Sequence, residues 1–154
     1  TYKKRSAEFI RIIEDMDRLL ATREEFLLGT WVNAAKKWGT TPEEVRLYEK
    51  NAKNLITTWG GKDSKIHDYS WRLWSGMLNG FYKVRWEMFF DYLNQTISSQ
   101  TEPDLKAIDE KIKSWEWKWV NTPSNFNAKP KGDQIAVLKR IFRDYYSTIE
   151  KFYR

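Results

Sequence analysis

Apolar positions recur at intervals of three and four along almost the whole chain, which is the period of helices rather than strands. Phe9, Ile12 or Ile13, Met16 and Leu19 or Leu20 form one stripe on a first helix. Thr22 followed by Glu25 has the spacing of a capping box, in which hydroxyl and carboxylate each satisfy a backbone N–H where the next helix begins. Leu27, Trp31, Ala34 and Trp38 mark that second helix, and Gly39 is placed to close it in the left-handed conformation. Thr41-Pro42-Glu43-Glu44 is a stronger start: a capping hydroxyl, a proline in the first turn and acidic residues beside the helix N-terminus. A third helix follows with Val45, Tyr48, Ala52, Leu55 and Trp59 on one face, ending at Gly60-Gly61.

From Ile66 to Ile97 the pattern changes, because apolar residues cover two faces. Ile66, Tyr69, Leu73 and Met77 share one face and Trp71, Trp74 and Leu78 another; Tyr82, Trp86, Phe89 and Leu93 then run beside Phe81, Met88 and Tyr92. This predicts a fourth and a fifth helix, broken or kinked near Gly80 and packed against something on more than one side. Pro103 opens a sixth helix with Leu105, Ile108, Ile112, Trp115 and Trp119 in register. Residues 121–132, rich in Asn, Pro, Ser and Gly, read as a loop. Asp133 caps a last helix bearing Leu138, Ile141 or Phe142, Tyr145, Ile149 and Phe152. The expected fold is all-α, a single domain of about seven helices in a bundle-like array.

Length and composition agree with one folded domain. The 154 residues, 41% hydrophobic and 16% aromatic, can bury a core of their own. The absence of cysteine excludes disulfides, thiolate metal sites and cysteine nucleophiles, and a single histidine excludes any metal site that needs two. No metal or cofactor is therefore expected. The formal net charge of +6 permits a polyanionic partner, but Lys and Arg interleave with Glu and Asp, and the one tight basic run is Lys3-Lys4-Arg5. Interleaving favours an ordinary solvated surface over nucleic-acid binding. No apolar run approaches the ~18 residues of a membrane span. The chain starts at Thr1 rather than Met, which suggests a processed product or a piece of something longer.

Few residues offer chemistry. Trp115, Trp117 and Trp119 alternate like an aromatic ladder, yet in the helical register Trp115 and Trp119 join the core face while Trp117 is turned about 200° away. Trp117 is thus the contact candidate of the three. His67-Asp68, with Ser64 and Ser70 near in sequence, suggests a triad, but nothing resembles a nucleophile elbow, and a solvent-facing histidine at a helix start is the simpler reading. Acidic residues sit on polar helix faces or in first turns, and Gly60-Gly61 lacks the strand-loop-helix context of a phosphate loop. Read from its residues alone, the chain is a module for binding or assembly.

Several blocks carry a resemblance. Leu20-Ala21-Thr22-Arg23-Glu24-Glu25-Phe26-Leu27-Leu28-Gly29-Thr30-Trp31 resembles the opening motif of the C-terminal helical domain of α-N-acetylglucosaminidases, glycoside hydrolase family 89. Tyr48-Glu49-Lys50-Asn51-Ala52 and Leu55-Ile56-Thr57-Thr58-Trp59-Gly60 resemble that family's next block. Asp68-Tyr69, Tyr82 with Arg85-Trp86, Gly132-Asp133, Ile141-Phe142 and Tyr145-Tyr146 follow in the same order. The match is densest over residues 20–31 and 48–90, and His67 stands where an apolar residue is usual.

The resemblance implies that residues 1–154 are the C-terminal domain of a larger hydrolase that removes terminal α-linked N-acetylglucosamine with retention. Its two catalytic carboxylates would lie on an upstream (β/α)₈ barrel absent from this chain, so no catalytic residue is expected here and the isolated domain should be inactive. The domain would pack on that barrel and help wall the cleft, with Trp59, Ile66 and Tyr69 as substrate-binding candidates. Trp59 also continues the core stripe of the third helix, so it is either a cleft residue or a core residue. The resemblance further implies a secreted, periplasmic or lysosomal enzyme. The competing reading is a free-standing basic module that binds nucleic acid or acidic glycan.

Overall fold

The computed structural model describes residues 2–153, the last two of them as backbone only, so the expected place of Phe152 on the final apolar stripe lies outside the described side chains. Six α-helices account for the architecture: α1 (Tyr2–Leu20), α2 (Leu28–Lys36), α3 (Pro42–Leu55), α4 (Lys83–Ser99), α5 (Leu105–Asn121) and α6 (Gln134–Tyr153). Among the described residues there is no strand; a lone parallel bridge joins Leu27 to Ser75. The fold is all-α, with one helix fewer than the periodicity predicts.

The missing helix is the stretch after Gly60, which is turns and extended backbone as far as Ser75. Its apolar spacing does not make a helical stripe: Trp74 packs on the core while Ile66, Tyr69, Trp71 and Leu73 are exposed. Helical backbone then begins at Met77 and passes through a π-turn, Leu78–Tyr82, directly into α4. Gly80 therefore lies inside a π-turn of one continuous helix and does not separate two.

A carboxylate from another helix starts this long element. Asp17 of α1 accepts hydrogen bonds from the Gly76 N–H (2.7 Å), the Asn79 N–H (3.1 Å) and the Ser75 hydroxyl (3.0 Å). The first backbone donors of a helix have no partner within it, so a buried carboxylate there acts as a cap supplied from a distance. The Thr41–Glu44 capping box forms as its sequence predicts. The Thr22–Glu25 box does not form. Thr22 donates to the Leu19 carbonyl, Glu25 pairs with Arg23, and a 3₁₀ turn (Glu24–Phe26) delays α2 until Leu28.

The apolar centre consists of Leu28, Val32, Ile56, Met77 and Phe81, surrounded by Trp31, Trp74, Tyr82, Trp115, Trp119 and Phe126. The Phe81 ring sits 5.4 Å from Trp115 and 4.9 Å from Trp119, which puts both tryptophans on the core face, as their helical register requires. Around the start of α2 the buried residues are Leu27, Leu28 and Val32, with Trp31 packed against the core beside them; Trp38 leaves the expected stripe and is 77% exposed. Gly39 is not left-handed. It is needed because a Cβ there would meet the Val45 amide nitrogen at 2.6 Å, where α3 crosses close by.

Charged side chains hold much of the remaining structure. Asp15 of α1 gathers Arg18, Arg140 and the Tyr145 hydroxyl at 2.7–2.8 Å, which docks α6 on α1. Lys53 of α3 is fully buried, donates to the Thr122 carbonyl at 2.6 Å and lies over the Trp119 ring. Glu49, one turn earlier, accepts from the Ser124 N–H and pairs with Lys36. These contacts pin the loop after α5 across α3, and burial pushes the Lys53 ammonium below its ordinary pKa.

Candidate functional site

The segment between α3 and the π-turn holds the candidate residues Trp59, Ile66 and Tyr69. α3 ends at Leu55, so Trp59 does not continue its stripe; Trp59 lies in the following turn with a left-handed backbone, φ 46°. Asn54 organises that turn: its carbonyl oxygen accepts from the Trp59 N–H, and its side-chain oxygen accepts from the Thr58 hydroxyl and the Gly60 N–H. The Trp59 ring is half-buried and meets Tyr69 edge-on at 5.1 Å. Tyr69 is 71% exposed and Ile66 46% exposed, so both project from the same loop. A shallow depression of about 320 Å³ lies against Trp59, lined also by Asn51, Asn54, Leu55 and Gly60. Apolar rings beside amide groups are suited to a sugar, whose C–H faces pack on aromatics while its hydroxyls and acetamido group need hydrogen bonds.

Behind this surface lies an ionic cluster that sequence reasoning missed. His67 is not solvent-facing: its Nδ1 is 2.9 Å from Glu116 Oε2 and its Nε2 is 3.1 Å from the Lys62 carbonyl oxygen. A carbonyl can only accept, so Nε2 carries a proton, and a further proton is shared between Nδ1 and Glu116. Arg85 Nε forms an ion pair with the other Glu116 oxygen at 2.9 Å, and Arg85 Nη1 donates to Asp68 Oδ2 at 2.8 Å. Burial pushes the Glu116 carboxyl upward, opposed by the Arg85 guanidinium and His67. Asp68 is itself left-handed at φ 60°. The serines near in sequence do not pair with this histidine: both His67 ring nitrogens are taken by Glu116 and the Lys62 carbonyl, and Ser64 Oγ donates to the Trp59 carbonyl.

The sequence did carry a signal for Glu116. It follows Ile108 and Ile112 at intervals of four, and a carboxylate on an apolar stripe must have a partner when buried. Trp117, the contact candidate of the aromatic ladder, is half-buried with Lys50 Nζ 5.1 Å above its ring.

On the far side of Arg85 a wider cleft of about 620 Å³ is lined by Asp68, Trp71, Tyr82, Trp86, Phe89 and Ile112. The buried Tyr82 hydroxyl faces the Arg72 backbone amide without reaching hydrogen-bond geometry. Burial, then the Asp68 carboxylate, push its pKa up to about 12. Among the described residues no group of three or more His, Asp or Glu side chains is placed to hold a metal ion, and no helix is long and apolar enough to cross a membrane.

Comparison with known proteins gives this geometry a family. Residues 1–144 match the family described as "Alpha-N-acetylglucosaminidase (NAGLU) C-terminal domain". Human alpha-N-acetylglucosaminidase is 27% identical over 135 residues, which cover 88% of this chain and 18% of that protein. A family 89 glycoside hydrolase from Clostridium perfringens, solved with 2-acetamido-1,2-dideoxynojirmycin, superposes with a TM-score of 0.78 at 29% identity over 94% of this chain and 17% of that one. The same bacterial enzyme in complex with its substrate GlcNAc-alpha-1,4-galactose gives a TM-score of 0.77 at 28% identity, covering 95% of this chain and 17% of that one. The chain thus spans less than a fifth of the length of the relatives it matches. It belongs to the family of α-N-acetylglucosaminidase C-terminal domains.

Proposed function

We propose that this chain is the accessory helical domain of an enzyme that hydrolyses terminal α-linked N-acetylglucosamine, packing on an upstream (β/α)₈ catalytic barrel and supplying one wall of its substrate cleft. Trp59, Ile66 and Tyr69 are the residues that meet the sugar. Trp59 offers an indole face to the pyranose ring or the acetamido methyl, Ile66 and Tyr69 narrow the opening, and Asn51 and Asn54 stand beside them. The observation that carries this reading is the Trp59–Tyr69 pair, an aromatic corner held on left-handed backbone at the surface of a loop rather than in the core. The bacterial relative bound to an α-linked GlcNAc disaccharide supports the substrate class.

The bond-breaking carboxylates belong to the barrel in this reading. One attacks the anomeric carbon while the other protonates the leaving oxygen and later activates water. This chain supplies shape and water exclusion. An enzyme of this kind is expected in a secreted, periplasmic or lysosomal setting. The test is hydrolysis of an aryl α-N-acetylglucosaminide by the 154-residue chain and by the intact polypeptide that contains it. The intact polypeptide should turn over and the isolated chain should not; turnover by the isolated chain would contradict the division of labour.

A further inference from the structure

We propose that Glu116 and Arg85 are positioning residues that hold the sugar-facing loop in its working shape, through His67 and Asp68. This deepens, and rests on, the reading of Trp59, Ile66 and Tyr69 as cleft residues. Along residues 66–69 the two outer side chains are exposed and the two middle ones turn inward. His67 reaches Glu116 on α5, and Asp68 reaches Arg85 on α4. Arg85 also forms an ion pair with Glu116, so the links close a ring: His67, Glu116, Arg85, Asp68 and the peptide joining Asp68 back to His67. Pulling the middle pair inward forces Ile66 and Tyr69 outward on either side.

Three further features show that the loop is built around this ring. The Glu116 side chain is 2% exposed and makes both of its contacts at 2.9 Å, so each carboxylate oxygen serves one partner. The Asp68 N–H donates to the Thr57 carbonyl at 2.7 Å, which ties the ring to the strand of backbone that leads into Trp59. Both Asp68 and Trp59 hold left-handed backbone, which a non-glycine residue keeps only where its surroundings over-determine it. Without the ring, the Asp68 backbone would relax and carry Tyr69 away from Trp59, whose own turn Asn54 still holds, so the Trp59–Tyr69 corner would open.

The test uses Glu116→Ala, with Asp68→Asn as a milder second variant that keeps tolerance for left-handed backbone and leaves the buried carboxylate in place. In the 154-residue chain, amide hydrogen exchange should rise about tenfold at Asp68 and Tyr69 in both variants, with α1 and α6 unchanged. The chain has one histidine, so its imidazole nitrogens are identified in ¹⁵N NMR without assignment. Glu116→Ala should move the Nδ1 resonance and speed exchange of the Nε2 proton. In the intact polypeptide each variant should raise KM for an aryl α-N-acetylglucosaminide about tenfold with kcat within about twofold, because a displaced wall weakens binding without touching the reacting atoms. An unchanged imidazole spectrum or unchanged loop exchange would overturn the proposal. So would an unchanged KM in both variants while Trp59→Ala raises it. If Trp59→Ala and Tyr69→Ala also leave KM unchanged, the cleft reading itself fails, and loop exchange alone decides whether the ring holds the loop.

Discussion

Replacing Asp17 with alanine should destabilise the domain far more than its place near the end of α1 suggests. The carboxylate is 8% exposed and accepts from two backbone N–H groups and one hydroxyl at the start of the π-turn and α4. Losing a helix cap costs about 1–2 kcal/mol. A second backbone donor left unpaired in a buried place adds about 1–3 kcal/mol. The sum is about 3 kcal/mol, and at about 2–4 °C per kcal/mol for a chain of this size the melting temperature should fall by roughly 6–12 °C. Asp17→Asn keeps an accepting oxygen but loses the charge facing the helix start, so its loss should be nearer to about 1 kcal/mol. Thermal melts by circular dichroism measure both, and hydrogen exchange at Gly76–Phe81 localises the damage. Glu14→Gln is the control, because it removes only the partly exposed pair with Lys83, worth at most about 1 kcal/mol. An Asp17→Ala protein that melts within about 1 °C of the parent would refute the capping argument.

Other positions give independent checks. A Cβ on Gly29 would collide with the Asn127 carbonyl oxygen, a backbone atom that cannot swing aside, so Gly29→Ala should cost about 3 kcal/mol or prevent folding, as read by urea denaturation. The Tyr82 phenol should ionise near pH 12, and an ultraviolet phenolate titration should lose that late step in Tyr82→Phe. Hydrogen bonds from Thr40 and Thr41 hold the Glu44 carboxyl below the usual range, so its contribution is present above the ordinary carboxylate pKa and lost as pH falls through the lowered one. Glu44→Gln should accordingly flatten the acid side of the stability profile, and an unaltered slope would show that the capping box contributes nothing.

Helix period and strong caps were legible in the sequence, because both are local. The Thr41 box, the Asp133 cap and the core-facing Trp115 and Trp119 follow from spacing alone. What was hidden depends on partners distant along the chain. Residues 66–76 have helical spacing but no helix, since a bridge from Leu27 to Ser75 and bonds to Asp17 draw their end onto α1 and α2. The expected α2 stripe begins correctly at Leu27 and Trp31 but fails at Trp38, which lies beyond the helix end at Lys36. The loop residues Trp59, Ile66 and Tyr69 came from family resemblance, and nothing in periodicity marks a loop as a sugar wall. The ring behind them was within reach: Glu116 stands on the Ile108–Ile112 stripe, and a buried carboxylate calls for a cation, which Arg85 provides from 31 residues away.

The proposed cleft wall depends on Trp59 being a surface aromatic rather than part of the core, and its half-buried place in the turn beyond the end of α3 supports the first of these. A core tryptophan truncated to alanine costs about 3–5 kcal/mol, whereas one that meets sugar costs binding instead. The most direct measurement is kcat/KM on an aryl α-N-acetylglucosaminide together with melting temperature, for Trp59→Ala in the intact polypeptide. The account predicts that kcat/KM falls about tenfold or more while the melting temperature stays within about 3 °C. A fall of about 9 °C or more in melting temperature, or an unchanged kcat/KM, would contradict it.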